Sequence, residues 1–299
     1  MSEPPPDEKS KPSDLLDPAQ TFSALCKDLD IDPRLSKSLY RLNYTHPTLI
    51  QSKSLPLSIS SGRDILLRAR TGSGKTLAYT LPILQKILSR SSSSAPNDDD
   101  DDDNKLRAVI LVPTRELCRQ VHDVIKELTY YAPEIDFVSL AGAGDDGSGD
   151  ERAAQEAMLR DGPDGIVATP AGLLAHVRAG RGGRGGGDCC LDLSGVESLV
   201  VDEADLVLSF GYQNDINDIL KSLPKIYQGF LMSATLSPEV ESLKRIVLHS
   251  PAVLKLEEEE ETTKGNDGLS QFYLALPNTR FEKVLVLYTF LKLGLLRGK

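Results

Sequence analysis

The feature that most constrains the fold is a glycine-rich loop. It lies between a short apolar run, residues 65–67, and a segment with apolar residues at helical spacing, residues 77–88. Glycines let such a loop curl so that several backbone N–H groups point at one anion, and the helix that follows presents its positive end there. The loop therefore predicts a triphosphate site in a strand, loop and helix unit. Its residues are Ala69, Arg70, Thr71, Gly72, Ser73, Gly74, Lys75 and Thr76.

The last two residues of this loop carry distinct chemistry. Lys75 would reach the terminal phosphates, and the Thr76 hydroxyl would take a coordination position on Mg²⁺. A glycine-rich turn without a ligand is the plain alternative. The glycines, the lysine and the threonine all stand at the offsets that a phosphate loop requires, which favours the functional interpretation.

An acidic segment further along the chain predicts the second half of the same site. Asp202 and Glu203 directly follow the apolar run of residues 199–201, where a buried strand would end. Asp202 would hold the metal, and Glu203 would orient the attacking water. An ordinary acidic strand end is the alternative for this segment taken alone. Combined with the loop, it predicts nucleotide hydrolysis, with Lys75, Asp202 and Glu203 as the catalytic residues.

The order of apolar runs predicts an α/β fold. Short strand-like runs alternate with helix-like stretches, which is typical of a doubly wound parallel sheet covered on both faces. In such a sheet the ligand lies at the carboxyl ends of the strands. The predicted strands are residues 65–67, 108–112, 137–140, 166–168, 199–201 and 230–232. Polar or glycine-rich segments follow five of them, at residues 69–76, 113–116, 169–170, 202–205 and 233–235.

The overall charge says little about partners. The net charge of −10 arises from acidic runs at residues 98–103 and 257–261, without which the chain is nearly neutral.

Two low-complexity inserts, residues 91–104 and 180–187, interrupt the alternation of strands and helices. The second resembles Arg-Gly tracts that touch single-stranded RNA, but a flexible connector is favoured. No apolar run is long enough to cross a membrane, so we expect no membrane partner.

Further motifs follow one another in a recognisable order. Residues 47–51 read Pro-Thr-Leu-Ile-Gln, residues 113–117 read Pro-Thr-Arg-Glu-Leu, residues 202–205 read Asp-Glu-Ala-Asp, and residues 233–235 read Ser-Ala-Thr. With the glycine-rich loop, this set resembles the DEAD-box ATP-dependent RNA helicases of helicase superfamily two. The resemblance implies a RecA-like doubly wound parallel sheet of the P-loop NTPase class. It also implies ATP and Mg²⁺ as cofactors and RNA as the partner.

The resemblance assigns roles to individual residues. Gln51 would read the adenine edge through its amide. The family's stacking aromatic falls near Cys26 by spacing, Phe22 lies one helical turn earlier, and Tyr44 is the aromatic nearer Gln51. The residues implied to contact the RNA sugar-phosphate backbone are Pro113, Thr114, Arg115, Gly142, Thr169 and Pro170. Those implied to couple the nucleotide site to strand separation are Asp205, Ser233, Ala234 and Thr235.

The resemblance also implies a domain organisation. A disordered tail, residues 1–20, would precede the RecA-like ATP-binding domain, residues 21–256. An acidic linker, residues 257–268, would lead to the start of an incomplete second RecA-like domain, residues 269–299. We expect full activity to need residues beyond Lys299.

Two functions remain open at this point. The first is an RNA-dependent ATPase that unwinds short duplexes or remodels ribonucleoprotein. Residues 205–212, 243–256 and 281–299 are similar to the nucleolar branch of the family, which implies large-subunit ribosome biogenesis, rRNA processing on pre-ribosomal RNA, and a location in the nucleus, within the nucleolus. The second is a nucleotide- and RNA-binding module with little turnover.

Overall fold

The computed structural model of the 299-residue chain describes residues 15–91, 106–141, 149–179, 191–256 and 280–292. Residues 10–257 form one compact unit, and the last helix belongs to a second unit. Several predictions lie outside the described residues: the tail before residue 15, Gly142, the inserts at 92–104 and 180–187, and the linker at 257–268.

A parallel sheet forms the centre of the larger unit. Its strands are β1 Ile65–Arg68, β2 Ala108–Leu111, β3 Phe137–Ser139, β4 Gly165–Ala168, β5 Ser198–Val201, β6 Gln228–Ser233 and β7 Ala252–Lys255. They lie in the order β3-β4-β2-β5-β6-β1-β7, and every pairing is parallel. In β2, β4, β5 and β6 every residue is buried, as expected for parallel strands covered on both faces.

Helices connect the strands. They are α1 Phe22–Asp28, α2 Pro33–Arg41, α3 Leu49–Leu55, α4 Lys75–Ser91, α5 Arg115–Leu128, α6 Gly149–Arg160, α7 Pro170–Ala179, α8 Ala204–Ser209, α9 Gln213–Leu220 and α10 Pro238–Val247. A π-helical turn, Pro56–Ser60, continues α3. Thr21, Asp32, Thr48, Thr114 and Ser237 cap the first turns of their helices by accepting backbone N–H groups. Such caps satisfy donors that the helix itself leaves unpaired.

Two apolar cores cover the two faces of the sheet. Alternate strand residues enter different cores: Ile65 and Leu67 of β1 pack into the first, and Leu66 packs into the second. The first core contains residues of α1 to α5, and the second contains residues of α6 to α10. Helices therefore lie on both faces, which confirms the predicted doubly wound sheet.

All six predicted strands are confirmed, with ends within two residues of those expected. The seventh, β7, was not predicted. It is a four-residue edge strand, Ala-Val-Leu-Lys, and although it carries an apolar run of three residues, only Ala252 is buried. Its pairing with β1 decides its conformation.

The described part of the second unit is a single helix, α11 Arg280–Lys292. Leu285, Leu287, Tyr288 and Leu291 are each more than half exposed on it. In the portion of the chain that the structure describes, none of the helices combines the length and the apolar character that spanning a bilayer demands.

Candidate functional site

The nucleotide motifs meet at one edge of the sheet. Strand β6 lies between β5 and β1, so the segments after these three strands are neighbours. The Ala69 N–H donates to the Ser233 carbonyl at 3.0 Å, which ties the glycine-rich loop to the end of β6. Parallel strands end at the same edge, and the sheet thus brings residues 69–76, 202–205 and 233–235 together as predicted.

The glycine-rich loop makes a tight turn that only glycine fits at two positions. Arg70, Thr71 and Gly72 are exposed at its tip, and the buried Ser73 hydroxyl donates to the Arg70 carbonyl at 2.8 Å. Gly72 and Gly74 have φ angles of +83° and +90°. These lie in the left-handed region that L side chains rarely adopt. The sequence pattern therefore reflects a backbone requirement.

Gln51 holds the base of this loop. Its amide Nε2 donates to the Gly74 carbonyl at 3.0 Å, and its Oε1 accepts the Thr48 N–H at 2.9 Å. Thr48 and Gln51 form a reciprocal capping box at the start of α3. A glutamine amide has two N–H groups and two acceptor lone pairs. One N–H group and one lone pair of Gln51 therefore remain for hydrogen bonds to a ligand. The Gln51 side chain is thus already fixed against the loop, and its recognition of adenine stays a prediction.

The aromatic residues near Gln51 differ in accessibility. Phe22 is 3% exposed and Cys26 is 6% exposed, so both belong to the core. Tyr44 is 45% exposed, and its ring centroid lies 6.2 Å from that of Phe22. Of these three residues, Tyr44 alone has a ring that a base could stack on.

Lys75 and Glu203 form a buried ion pair. The Lys75 ammonium lies 2.9 Å from Glu203 Oε1, and the two side chains are 5% and 12% exposed. The ammonium also donates to the Ala69 carbonyl at 3.1 Å. Glu203 has a left-handed backbone, with φ of 48°, which is uncommon for a residue with a side chain and is typical of functional sites. Two of the three predicted catalytic residues thus contact each other directly.

Asp202 is held from two sides. Its Oδ1 accepts the Glu203 N–H at 2.8 Å, and its Oδ2 accepts the Tyr79 hydroxyl at 2.9 Å. Burial, with a smaller effect from the Glu203 charge, raises the pKa of Asp202 to about 6, although Lys75 opposes this. Desolvation also raises the pKa of the fully buried Tyr79 well above its usual value. A nearby cation would stabilise the charged form of Asp202.

The donor set suits magnesium. Thr76, at the start of α4, and Asp202 offer a hydroxyl and a carboxylate, the hard oxygen ligands that Mg²⁺ prefers. Within the described ranges no three histidine, cysteine or acidic side chains cluster as a metal cage. Mg²⁺ is usually bound by one or two carboxylates together with substrate phosphates, so a complete protein cage is not required.

Two helix N-termini carry the predicted RNA contacts. Strands β2 and β4 pair directly and lead into α5 and α7. The Thr114 hydroxyl accepts the Leu117 N–H at 3.3 Å, and the Thr169 hydroxyl accepts the Gly172 N–H at 3.2 Å. Pro113 and Pro170 are buried and Arg115 is exposed. Neighbouring helix N-termini favour phosphate groups, and a capping hydroxyl keeps its own proton to donate.

The predicted coupling residues contact one another across two strands. The Thr235 hydroxyl donates to Asp205 Oδ2 at 3.2 Å, and the Thr235 N–H donates to the Ser233 hydroxyl at 3.3 Å. Ser233 is fully buried, Ala234 is half-buried and Thr235 is exposed. This chain of bonds joins the acidic segment after β5 to the segment after β6.

Tyr79 is a site residue that was not predicted from the sequence. It lies on α4, three residues after Thr76, where its apolar spacing indicates a core position. The signal that was available is its hydroxyl, because a buried tyrosine hydroxyl needs a polar partner. The capping pattern of Thr48 and Gln51 was also readable and shows that Gln51 has a structural contact.

Comparison with known proteins agrees with this geometry. The sequence profile described as DEAD/DEAH box helicase matches residues 48–243. "Probable ATP-dependent RNA helicase ddx56" of Dictyostelium discoideum is 43% identical over 98% of this chain and 38% of its own length. "ATP-dependent RNA helicase dbp9" of Aspergillus clavatus is 43% identical over 91% of this chain and 40% of its own length. The chain thus spans about two fifths of these curated relatives.

Solved structures share the fold. A DEAD box protein from the hyperthermophile Methanococcus jannaschii superposes with a TM-score of 0.62 and 26% identity, covering 89% of this chain and 62% of that one. S. cerevisiae dbp5, bound to gle1, superposes with a TM-score of 0.61 and 24% identity, covering 80% of this chain and 53% of the dbp5 chain. At that identity, the similarity concerns the fold alone. With the profile match across most of the larger unit, these findings show that the chain belongs to the DEAD/DEAH box helicase family.

Proposed function

We propose that this chain is the nucleotide-binding part of an ATP-dependent RNA helicase, which hydrolyses ATP in response to RNA and unwinds short duplexes or remodels ribonucleoprotein. The observation that carries the proposal is the meeting of three motif segments at one sheet edge, with Lys75 and Glu203 2.9 Å apart at its centre. Two relatives named ATP-dependent RNA helicases support the same activity.

Nucleotide binding would exchange the partners of Lys75. Its ammonium contacts Glu203 and the Ala69 carbonyl, and terminal phosphates offer it more negative charge than one carboxylate does. Glu203 would then be released to accept a hydrogen bond from a water molecule and orient it for attack. The ion pair therefore keeps the hydrolytic residue occupied until ATP arrives.

Thr76 and Asp202 are the residues that would hold Mg²⁺. When bound, the ion would neutralise charge that develops on the phosphates. Asp202 is buried with its two oxygens already oriented, so it would not need to reorganise during the reaction. Gln51 and the half-exposed Tyr44 would bind the adenine.

RNA would lie along the neighbouring helix N-termini. Thr114 and Thr169 present hydroxyl donors there, and Arg115 presents an exposed positive charge. Pro113, Pro170 and Gly142 complete the proposed surface, the last on the strength of the sequence resemblance alone. Phosphate and sugar contacts carry no base information, so binding would be independent of sequence.

Communication between the two sites would pass through Asp205 and Thr235. Their hydrogen bond joins the acidic segment to the segment after β6, whose Ser233 carbonyl also accepts a bond from the glycine-rich loop at Ala69. Movement of the loop on ATP binding would therefore reach Ser233 directly and, through the chain, the adjoining Ala234. We propose this connection as the coupling between hydrolysis and RNA release.

The setting we propose is ribosome biogenesis in the nucleolus, with pre-ribosomal RNA as the substrate. The similarity of residues 205–212 and 243–256 to the nucleolar branch supports it. We further propose residues 257–268 as a linker to a second RecA-like domain that begins near residue 269.

The test is ATP turnover by the protein extended through its proposed second RecA-like domain, with and without single-stranded RNA, beside nucleotide binding. We expect RNA-stimulated turnover in the wild type. Glu203→Gln should abolish turnover while ATP and RNA binding persist, because the neutral amide cannot orient the attacking water as the carboxylate would. Binding without turnover in the wild-type protein would favour the nucleotide- and RNA-binding module. Equal turnover in Glu203→Gln would show that another residue positions the water.

A further inference from the structure

A buried tyrosine joins the two halves of the nucleotide site. Tyr79 is fully buried on α4, the helix that begins with Lys75 and Thr76. Its hydroxyl donates to Asp202 Oδ2 at 2.9 Å, across 123 residues of sequence. The hydroxyl therefore connects α4, which carries the glycine-rich loop's lysine and threonine, to the carboxylate that would hold Mg²⁺.

The contact fixes the orientation of a carboxylate that could otherwise rotate. Asp202 Oδ1 is held by the Glu203 N–H, and Tyr79 holds Oδ2 from the opposite element. Each carboxylate oxygen retains a further lone pair, so both bonds are compatible with metal ligation. Groups that hydrogen-bond a metal-ligating carboxylate orient it, and their loss typically costs about 10–100-fold in metal affinity.

Packing alone does not account for the hydroxyl. Phenylalanine would fill the same core volume and would avoid the cost of burying a polar group, about 1–3 kcal/mol when it is unpaired. Here the hydroxyl donates to a carboxylate at the site, whereas the ring packs in the first apolar core. The hydroxyl, which phenylalanine lacks, is therefore the part of Tyr79 that contacts the residue proposed to bind the metal.

We propose that Tyr79 is a positioning residue that holds Asp202 in the geometry needed for Mg²⁺. The inference rests on the proposed nucleotide site. It predicts that the tyrosine hydroxyl affects metal affinity in the nucleotide complex and leaves metal-free nucleotide binding unchanged, because Lys75 and the loop amides would contact the phosphates without it.

The experiment is a Mg²⁺ titration of the protein with a fluorescent ADP analogue, in the wild type and in Tyr79→Phe. The control is Tyr227→Phe, which loses a hydroxyl bond of the same 2.9 Å length, made to the Val247 carbonyl. We expect Tyr79→Phe to need about tenfold more Mg²⁺, in line with the loss of a group that orients a metal ligand. Tyr227→Phe should titrate like the wild type, and all three should bind the analogue equally in EDTA.

Each other outcome is decisive. Equal Mg²⁺ titrations in Tyr79→Phe and the wild type would overturn the inference while leaving the nucleotide site intact. Weaker analogue binding in EDTA, or an unfolded Tyr79→Phe protein, would show that the hydroxyl serves the fold and would also overturn it. If the wild-type protein binds no nucleotide at all, the proposed function fails together with the inference.

Discussion

Two glycines of the phosphate loop offer a sharp test of the Gln51 contact. Gly72 and Gly74 share a left-handed backbone, at φ of +83° and +90°, but their surroundings differ. A Cβ at Gly72 would meet nothing within 4 Å. A Cβ at Gly74 would lie 2.4 Å from Gln51 Nε2 and 3.1 Å from two atoms of Thr48. Alanine at either position strains the backbone, and only at Gly74 does it also displace Gln51.

The magnitudes follow from these contacts. The left-handed backbone costs an alanine about 1–2 kcal/mol at either position. Displacing Gln51 breaks its bonds to the Gly74 carbonyl and the Thr48 N–H, worth about 0.5–1.5 kcal/mol each. We therefore expect Gly72→Ala to lower the free energy of unfolding by about 1–2 kcal/mol and Gly74→Ala to lower it by about 2 kcal/mol more.

The assay is urea unfolding followed by far-ultraviolet circular dichroism, without nucleotide. The same two glycine substitutions in a Gln51→Ala background are the control, because the extra cost of Gly74→Ala should largely vanish there. Equal destabilisation by Gly72→Ala and Gly74→Ala in the wild-type background would refute the contact between Gln51 and the loop. So would an extra cost that persists without Gln51.

Two further predictions concern Asp202 and Arg115. The folded pKa of Asp202 is raised to about 6, so its contribution to stability is greatest at low pH and is lost as pH rises from about 4 to 7. Relative to Asp202→Asn, the free energy of unfolding of the wild type should therefore fall by up to about 3 kcal/mol across that pH range. Urea unfolding at several pH values measures this, and a pH-independent difference would contradict it. Arg115→Ala should weaken RNA binding alike for all sequences and reduce the slope of log affinity against log salt by about 1. Fluorescence anisotropy with two unrelated RNAs checks this, and a loss confined to one sequence would count against a phosphate contact.

The sequence predicted the parts of the site where chemistry dictates the residue type. A tight anion-binding turn needs glycines at left-handed positions, and Gly72 and Gly74 occupy them. Parallel strands with both faces covered need continuous apolar runs, which marked six strands in advance. The common edge of those strands then placed residues 202–205 and 233–235 beside the loop.

The remaining features depend on contacts between distant parts of the chain. The spacing of Tyr79 indicates a core position, and nothing local shows that its hydroxyl meets Asp202. The ion pair of Lys75 with Glu203 likewise arises only once β1 and β5 are placed in one sheet. Strand β7 has an apolar run, Ala-Val-Leu, but its place at the sheet edge is seen only in its pairing with β1.

Whether residues 69–76 bind the phosphates of a nucleotide is best decided by the affinity of an ATP analogue for the wild type and for Lys75→Ala. A hydrogen bond to a charged group contributes about 1.5–3 kcal/mol, so we expect binding to weaken by about 10–100-fold. Lys86→Ala, on the same helix and 40% exposed beside Glu197, is the matched control and should bind like the wild type. Unchanged affinity in a folded Lys75→Ala protein would contradict the phosphate-loop assignment and, with it, the proposed function.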